Sequence, residues 1–223
     1  MPYRWTTLYM PACAGPGRGR ARRRAFDDGA AARPGGSMKR GHVTMAGCLL
    51  AGLGLVLPAM AWELEREASR IELIGTADGR EAVTRVEAFD VELEGDPDDP
   101  TDGSLVLTLD SASITSGSAM VDEMLHGRNW FDVASHPEIV FRSTAIHAPA
   151  PGELRVDGEL EVLGETYPLE VPVGWERDGE RVRAEGRLSL DRTDFDVGRG
   201  AWRSEGTVKH EVHVDFAFEL VAP

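Results

Sequence analysis

The stretch from Asp122 to Ser143 reads DEMLHGRNWFDVASHPEIVFRS, and its reading decides the fold. It opens polar and helix-compatible, passes the aromatic pair Trp130 and Phe131 with Asp132 behind them, turns at His136-Pro137 and then alternates. Ile139, Phe141 and Ser143 fall on one side of the last segment and Glu138, Val140 and Arg142 on the other. That pattern predicts a strand with one buried face.

The same alternation recurs on both sides of this stretch. Val83 to Leu93 contains Val86, Phe89, Val91 and Leu93, and Leu105, Leu107 and Leu109 share a face. Leu154 and Val156 are followed, after Gly158, by Leu160 and Val162; Leu169, Val171 and Val173 alternate, as do Val182, Ala184, Gly186, Leu188 and Leu190. Last come Val208, His210, Val212, Val214, Phe216, Phe218 and Leu220, with Lys209, Glu211, His213, Asp215, Ala217 and Glu219 facing the other way. Turn signals separate the runs at Asp78-Gly79, Asp157-Gly158, Asp178-Gly179 and the acidic loop Gly95 to Gly103. One helical insertion falls near Gly117 to Gly127. The prediction is an all-β, elongated antiparallel barrel, because closure buries the apolar face and removes exposed edges. An outer-membrane barrel also alternates, but it carries aromatic girdles, and this chain is only 7% aromatic.

Three motifs in order resemble the YceI-like family of periplasmic lipid-binding proteins. The first runs through Asp122, Leu125, the aromatic pair, Asp132-Val133, Pro137, Ile139, Phe141 and Ser143; the second is Gly158, Leu160, Gly164, Thr166 and Pro168; the third is Leu190, Arg192, Asp194 and Phe195. The chain departs from the family pattern at Trp130 and His136, where Phe and Tyr are expected, and at Asp196, where Gly is expected after Phe195. The resemblance implies a lipocalin-like barrel of about eight strands binding a polyisoprenoid or an isoprenoid quinone in the periplasm. Gly198-Arg199-Gly200-Ala201-Trp202 is similar to a segment in members associated with membrane b-type cytochromes. The plain reading of that segment is a glycine loop capped by a surface tryptophan.

Ahead of the alternating region, residues 1–37 carry no apolar periodicity and read as an over-extended gene start or an unfolded extension. Met38 opens a secretion signal: Lys39-Arg40, an apolar run from Val43 to Leu57, Pro58, and Ala59-Met60-Ala61 as the small-x-small cleavage site. The run is short of the roughly 17–25 residues of a membrane span, so no stable insertion is expected after cleavage. Arg23-Arg24 as a twin-arginine signal is opposed by Asp27-Asp28 and by its distance from the apolar run, and the box around Cys48 precedes that run instead of following it. Cys13 and Cys48 are the only cysteines, so a chain cut after Ala61 has neither disulfide nor thiol chemistry.

Nothing in the rest points to a reaction. His210 and His213 are three apart on a strand and face opposite ways, so they cannot share a metal; His210, on the apolar face, reads as a buried histidine with a hydrogen bond. The loop Asp96 to Gly103 fails the EF-hand pattern, since Pro100 and Leu109 fall at ligand positions, and reads as a solvated turn. Asp122, Asp132 and Asp194, near Arg128 and Arg192, read as ion pairs or turn caps. No cofactor, metal site or catalytic residue is expected. The candidate binding residues are the inward Ile139, Phe141, Leu160, Val162, Val214, Phe216 and Phe218, with Trp130 and Phe131 at the entrance.

Charge excludes one class of partner. Residues 1–61 hold 9 of the 24 Lys and Arg but 2 of the 38 Asp and Glu, leaving 15 basic against 36 acidic side chains and a formal charge of −21. Such a surface repels nucleic acid and anionic membranes. Lys209 is the single lysine left. Self-repulsion of this size is screened over about 3 Å at 1 M salt. The thermal unfolding midpoint is therefore expected to rise between low and molar salt; a flat or falling midpoint in a salt titration would contradict a surface suited to a saline medium.

Overall fold

The computed structural model describes residues 62–96 and 98–222. The expected extension, the signal sequence and both cysteines lie outside the described residues.

Chain order is β1 (Glu63–Leu64), β2 (Arg70–Ala77), β3 (Arg80–Val86), β4 (Phe89–Asp96), β5 (Asp99–Asp110), β6 (Ile114–Thr115), the helix α1 (Ala119–His126), β7 (Glu138–Ala150), β8 (Glu153–Val162), β9 (Glu165–Asp178), β10 (Arg181–Asp191) and β11 (Glu211–Val221). Each recorded pairing is antiparallel. Spatial order runs β4-β5-β7-β8-β9-β10-β11-β2-β3-β6, so an N-terminal hairpin is laid beside the last strand and the meander curls into a barrel. β1 pairs with the far end of β11, and the Trp62 N–H donates to the Leu93 carbonyl on β4 at 3.2 Å, which ties β4, one end of the sheet, to the β1–β11 side.

Among the described residues eleven strands replace the expected eight or so, two of them only two residues long. One added strand is β2, where Ile71, Leu73 and Gly75 alternate ahead of the Asp78-Gly79 turn. Another comes from dividing the run Val83 to Leu93 at Glu87-Ala88, because β3 belongs to the β2 hairpin while β4 pairs with β5. Asp157-Gly158 is not a turn; it lies inside β8, paired with β7 and β9. The acidic loop is tighter than expected, with β5 already under way at Asp99 and Arg177 on β9 paired with Asp98. Val140 is buried together with Ile139 and Phe141, so the β7 segment hides both faces there and not one.

The wall between β9 and β10 is incomplete. These strands pair only between Gly174–Asp178 and Arg181–Glu185, although β9 reaches back to Glu165 and β10 on to Asp191. The carbonyl of Pro172 points at Gly186, so its protonless nitrogen faces the same edge. Pro168, four residues earlier, has the same parity. Two prolines on one edge remove donors from the ladder, and the strands part above them.

What closes the other end is Arg192, 4% exposed. Its Nε donates to the Lys209 carbonyl at 3.0 Å, Nη1 to Val197 at 2.9 Å and Gly198 at 3.4 Å, and Nη2 to Trp202 at 2.6 Å and Val208 at 3.1 Å. The guanidinium thus spends all five of its N–H groups on backbone carbonyls, and it forms no ion pair among the described residues. Of the two roles expected for Asp194, ion pair or turn cap, pairing with Arg192 is not the one seen. Burial pulls the Arg192 pKa below the ordinary arginine value, with Asp191 and Glu205 acting against this through space.

Three segments converge on that one side chain: the 3₁₀ turn Arg192–Phe195, the 3₁₀ turn Gly200–Arg203 and the approach to β11. This explains why β11 begins at Glu211 and not at Val208. The carbonyls of Val208 and Lys209 are turned to Arg192, while Val208 keeps an isolated bridge to Ala77. His210 is half-buried, and its Nε2 donates to the Arg203 carbonyl at 2.9 Å. Asp196, where glycine was expected, takes the left-handed conformation at φ 57° that closes the first 3₁₀ turn, one of the few non-glycine types to do so at modest cost. Arg192→Lys retains the charge but offers three donors for five carbonyls. Each carbonyl left buried and unpaired costs about 1–3 kcal/mol, so a loss of roughly 3 kcal/mol is expected in urea unfolding; a change under 1 kcal/mol would show that Arg192 does not hold these segments.

Candidate functional site

Inside the barrel lies a cavity of about 350 Å³. Its size is within the usual range for small-molecule sites. Alternate residues of β7, β8, β9, β10 and β11 line it, as period-two geometry requires, together with β2, β3, β4, β5 and one face of α1. The lining is apolar apart from Thr76, Thr84, Ser116 and Arg192.

All nine candidate residues lie on this wall. Ile139 and Phe141 come from β7, Leu160 and Val162 from β8, Val214, Phe216 and Phe218 from β11, and Trp130 and Phe131 from the segment after α1. Trp130 differs in one respect from its expected place at an entrance. It is 6% exposed, with the Arg192 guanidinium carbon 5.3 Å from its ring centroid and the Trp202 ring 5.7 Å away. Cation–π attraction and ring packing hold it as a wall residue, whereas Phe131 beside it is half-buried. Trp202 is accordingly not a plain surface tryptophan. Its ring packs on Trp130 and its carbonyl receives Arg192.

Two phenylalanines owe their positions to glycines. A Cβ built on Gly158 would lie 2.6 Å from Phe141 Cε2, and one on Gly186 would lie 2.5 Å from Phe216 Cζ. Both rings therefore lie flat across a neighbouring strand, over a glycine, instead of projecting to the centre. Phe216 also stacks on Phe218 at 5.3 Å, and Phe218 meets Phe89 at 5.7 Å. Aromatic area is kept on the wall while the centre stays open.

The helix is tied down at its first turn. Asp122 accepts from the Ser116 N–H, the Ser116 hydroxyl and the Thr115 hydroxyl, each at 2.7 Å. These bonds, the Ser116 N–H first, hold its carboxyl below the ordinary carboxylate range. Asp122 is a turn anchor and not an ion-pair partner of Arg128. Asp132 likewise serves a turn: at φ 44° its carbonyl receives the N–H groups of Ser135 at 2.8 Å and His136 at 2.9 Å. Through these anchors α1 presents Val121, Met124 and Leu125 to the cavity.

Several wall residues were not among the candidates. Ile71 and Leu73 belong to β2, whose alternation is readable once Asp78-Gly79 is taken as a hairpin turn. Val121, Met124 and Leu125 follow helical spacing, a signal also present in the sequence. Arg192 has no such signal, because a charged residue after a strand reads as surface.

The outward strand faces carry charge. Arg187 and Asp215 pair at 2.5 Å, Arg183 and Glu219 at 2.8 Å, and Arg85 and Glu72 at 3.0 Å. An outer wall of this kind suits water and not acyl chains. None of the described helices is long and apolar enough to cross a membrane.

An apolar cavity in an antiparallel barrel with a polar exterior defines a class: small barrels with room for a hydrophobic molecule. The model of the YceI-like domain matches residues 62–220, and the chain belongs to that family. A UPF0312 protein of Vibrio cholerae serotype O1 is 28% identical over 137 residues, covering 59% of this chain and 71% of its own length. Among solved structures, BcnA of Burkholderia cenocepacia superposes with a TM-score of 0.67 at 26% identity, over 70% of this chain and 99% of its own. A polyisoprenoid binding domain from Saccharophagus degradans, implicated in plant cell wall breakdown, superposes with a TM-score of 0.60 over 74% of this chain and 99% of its own. At 16% identity that last likeness is one of fold.

A Cβ at Gly158 or Gly186 would meet a phenylalanine ring and also the Arg142 or Pro172 carbonyl, at 2.5 and 2.4 Å, so Gly158→Ala and Gly186→Ala must each shift a ring or the adjoining strand. Overpacking of this kind costs about 1–3 kcal/mol. Urea unfolding should show that loss for both variants, and wild-type midpoints in either would sink the account.

Proposed function

We propose that the barrel is a non-catalytic carrier that holds a polyisoprenoid or isoprenoid-quinone-type lipid in its cavity, in the periplasm after removal of residues 38–61. The observation that carries this reading is the cavity itself. Nine apolar candidate residues from four parts of the chain meet on one wall around about 350 Å³ of space. The polyisoprenoid binding described for the Saccharophagus degradans domain, which shares the fold, supports the ligand class.

The energetics allow such a ligand without a conspicuous polar motif. Burying ~400 Å² of apolar chain at ~25 cal/mol per Å² gives about 10 kcal/mol before association costs of several kcal/mol are deducted. Micromolar or tighter binding follows. A reacting site has little support: the ring nitrogens of His126 and His210 are bonded to the Ile114 and Arg203 carbonyls, and His147 pairs with Asp157 on the outer wall. No histidine lines the cavity.

A second reading, an interaction or stress-associated module with a self-filled barrel, is disfavoured because the rings of Phe141 and Phe216 lie against the wall and leave the centre open. The Gly198-to-Trp202 segment has a role within the fold. A Cβ on Gly198 would collide with the Arg192 Nη1, and Trp202 packs on Trp130, so a cytochrome partner draws no separate support from it.

Native mass spectrometry of the protein isolated from its export compartment, followed by organic extraction, tests the proposal. A one-to-one prenyl-lipid adduct is expected. Phe141→Asp and Phe216→Asp should lose it while retaining the fold by circular dichroism, since a carboxylate on the wall opposes an apolar tail. A protein that is empty and refuses added isoprenoids would overturn the carrier reading.

A further inference from the structure

The lumen reaches past the pleat at one place. In β8, β9, β10 and β11 the residues bordering the cavity share one face, as Leu169, Val171 and Val173 do. In the β2–β3 hairpin consecutive residues border it, Gly75 to Ala77 and Ala82 to Thr84, and Ala82 is exposed as well. Consecutive residues of a strand face opposite ways, so they border one space together only where that space wraps the strand edge. β3 has such an edge: β2 pairs with it from Arg80 to Arg85, but β6 meets its other side only at Arg85 and Val86. Resting on the carrier reading above, we infer that the lipid enters and leaves between the free edge of β3 and the first turn of α1, with the helix as a lid and Asp122 as its latch.

The path of the chain leaves this edge to a helix. Continuing the β3–β6 register would set Ser116 beside Thr84, but Gly117, at φ 79°, turns the chain into α1. A helix over a strand edge keeps other chains from pairing with it, and Ser116, Val121 and Met124 complete the cavity wall there. Among the described residues no backbone hydrogen bond joins α1 to Arg80–Thr84. The two ends of the helix are held to β6 and its continuation instead. His126 donates from Nε2 to the Ile114 carbonyl at 2.8 Å, and Asp122 accepts from Thr115 and Ser116. Leu125 is buried at the His126 end, whereas Met120 on the first turn is 79% exposed. The helix is hinged at its C-terminal end, and the carboxylate of Asp122 ties down the end that would lift.

Two other partings in the wall are closed by side chains. Where β9 leaves β10, the rings of Tyr167 and Phe195 meet at 5.1 Å, and the cavity keeps to the inward face of both strands. Where β5 leaves β7 below Val106, the Ser143 hydroxyl accepts from the Leu105 N–H at 2.8 Å, and Ile146 and Leu154 are buried. Opening either one separates packed apolar groups, while lifting the first turn of α1 releases the bonds of one carboxylate.

The test follows a dansyl-labelled farnesyl chain, by energy transfer from tryptophan, as it passes between the protein and phosphatidylcholine vesicles. In a chain cut after Ala61 an introduced cysteine is the single thiol. A bulky methanethiosulfonate adduct on Ala82→Cys is expected to slow uptake and release together about tenfold, with affinity kept within about threefold. Reductant should restore both rates. The same adduct on Ser189→Cys, whose native hydroxyl bonds Glu211 on the outer wall beside the β9–β10 parting, should leave them unchanged. Asp122→Ala should speed uptake and release alike, about tenfold, at nearly constant affinity; a generally loosened barrel would lose affinity instead. Release unslowed by the Ala82→Cys adduct, equal slowing by the Ser189→Cys adduct, or an unaltered rate in Asp122→Ala would each overturn the inference while leaving the carrier reading intact. Unmodified protein that takes up none of the probe would overturn the carrier reading and this inference with it.

Discussion

The structure depends most on a buried positive charge that no negative charge touches. Arg192 is held by five backbone carbonyls from Lys209, Val197, Gly198, Trp202 and Val208. A cation taken out of water is stable only if its donors are all used. That requirement fixes the loop between β10 and β11 in one shape, and it forbids a side chain at Gly198. It also seats Trp130 over the guanidinium and Trp202 over Trp130, so the end of the cavity is built from a single polar centre.

The cavity exists because its wall is thin where it carries large rings. Phenylalanines opposite ordinary side chains would fill a barrel of this size. Phe141 and Phe216 instead lie over Gly158 and Gly186, which trades backbone order in two strands for open volume. The partial separation of β9 from β10 has a related origin. Pro168 and Pro172 cannot donate to the neighbouring strand, so the ladder ends at Gly174 and Glu185. Sheet continuity has been given up at places where the sequence withholds either a side chain or a proton.

Inside and outside follow opposite electrostatic rules. The lumen is almost wholly apolar, and the exterior is laced with cross-strand ion pairs such as Arg187 with Asp215. Individually these exposed pairs contribute little to stability. Their larger effect is to keep an alternating sheet oriented, because a one-residue slip would move every charge to the lumen. A strongly acidic surface around an apolar interior suits a molecule that meets hydrophobic cargo without adhering to anionic membranes.

Much of the fold was legible in the chain because alternation has one period and one consequence. The strands from Leu105 to Leu220 and the seven wall residues they carry, Ile139 to Phe218, follow from which side of a pleat a residue occupies, and the helix ahead of Trp130 from helical spacing. The composition likewise determined that a chain cut after Ala61 has neither thiols nor a basic surface. Tertiary structure decided what local pattern leaves open. Asp157-Gly158 has the look of a turn, yet the Phe141 ring from the next strand makes the glycine a strand residue. Val83 to Leu93 looks like one strand, yet its halves have different partners. Arg192 and Trp130 look like a surface charge and a portal ring. Their roles depend on carbonyls and rings brought together from distant parts of the chain, and no window of sequence contains that geometry.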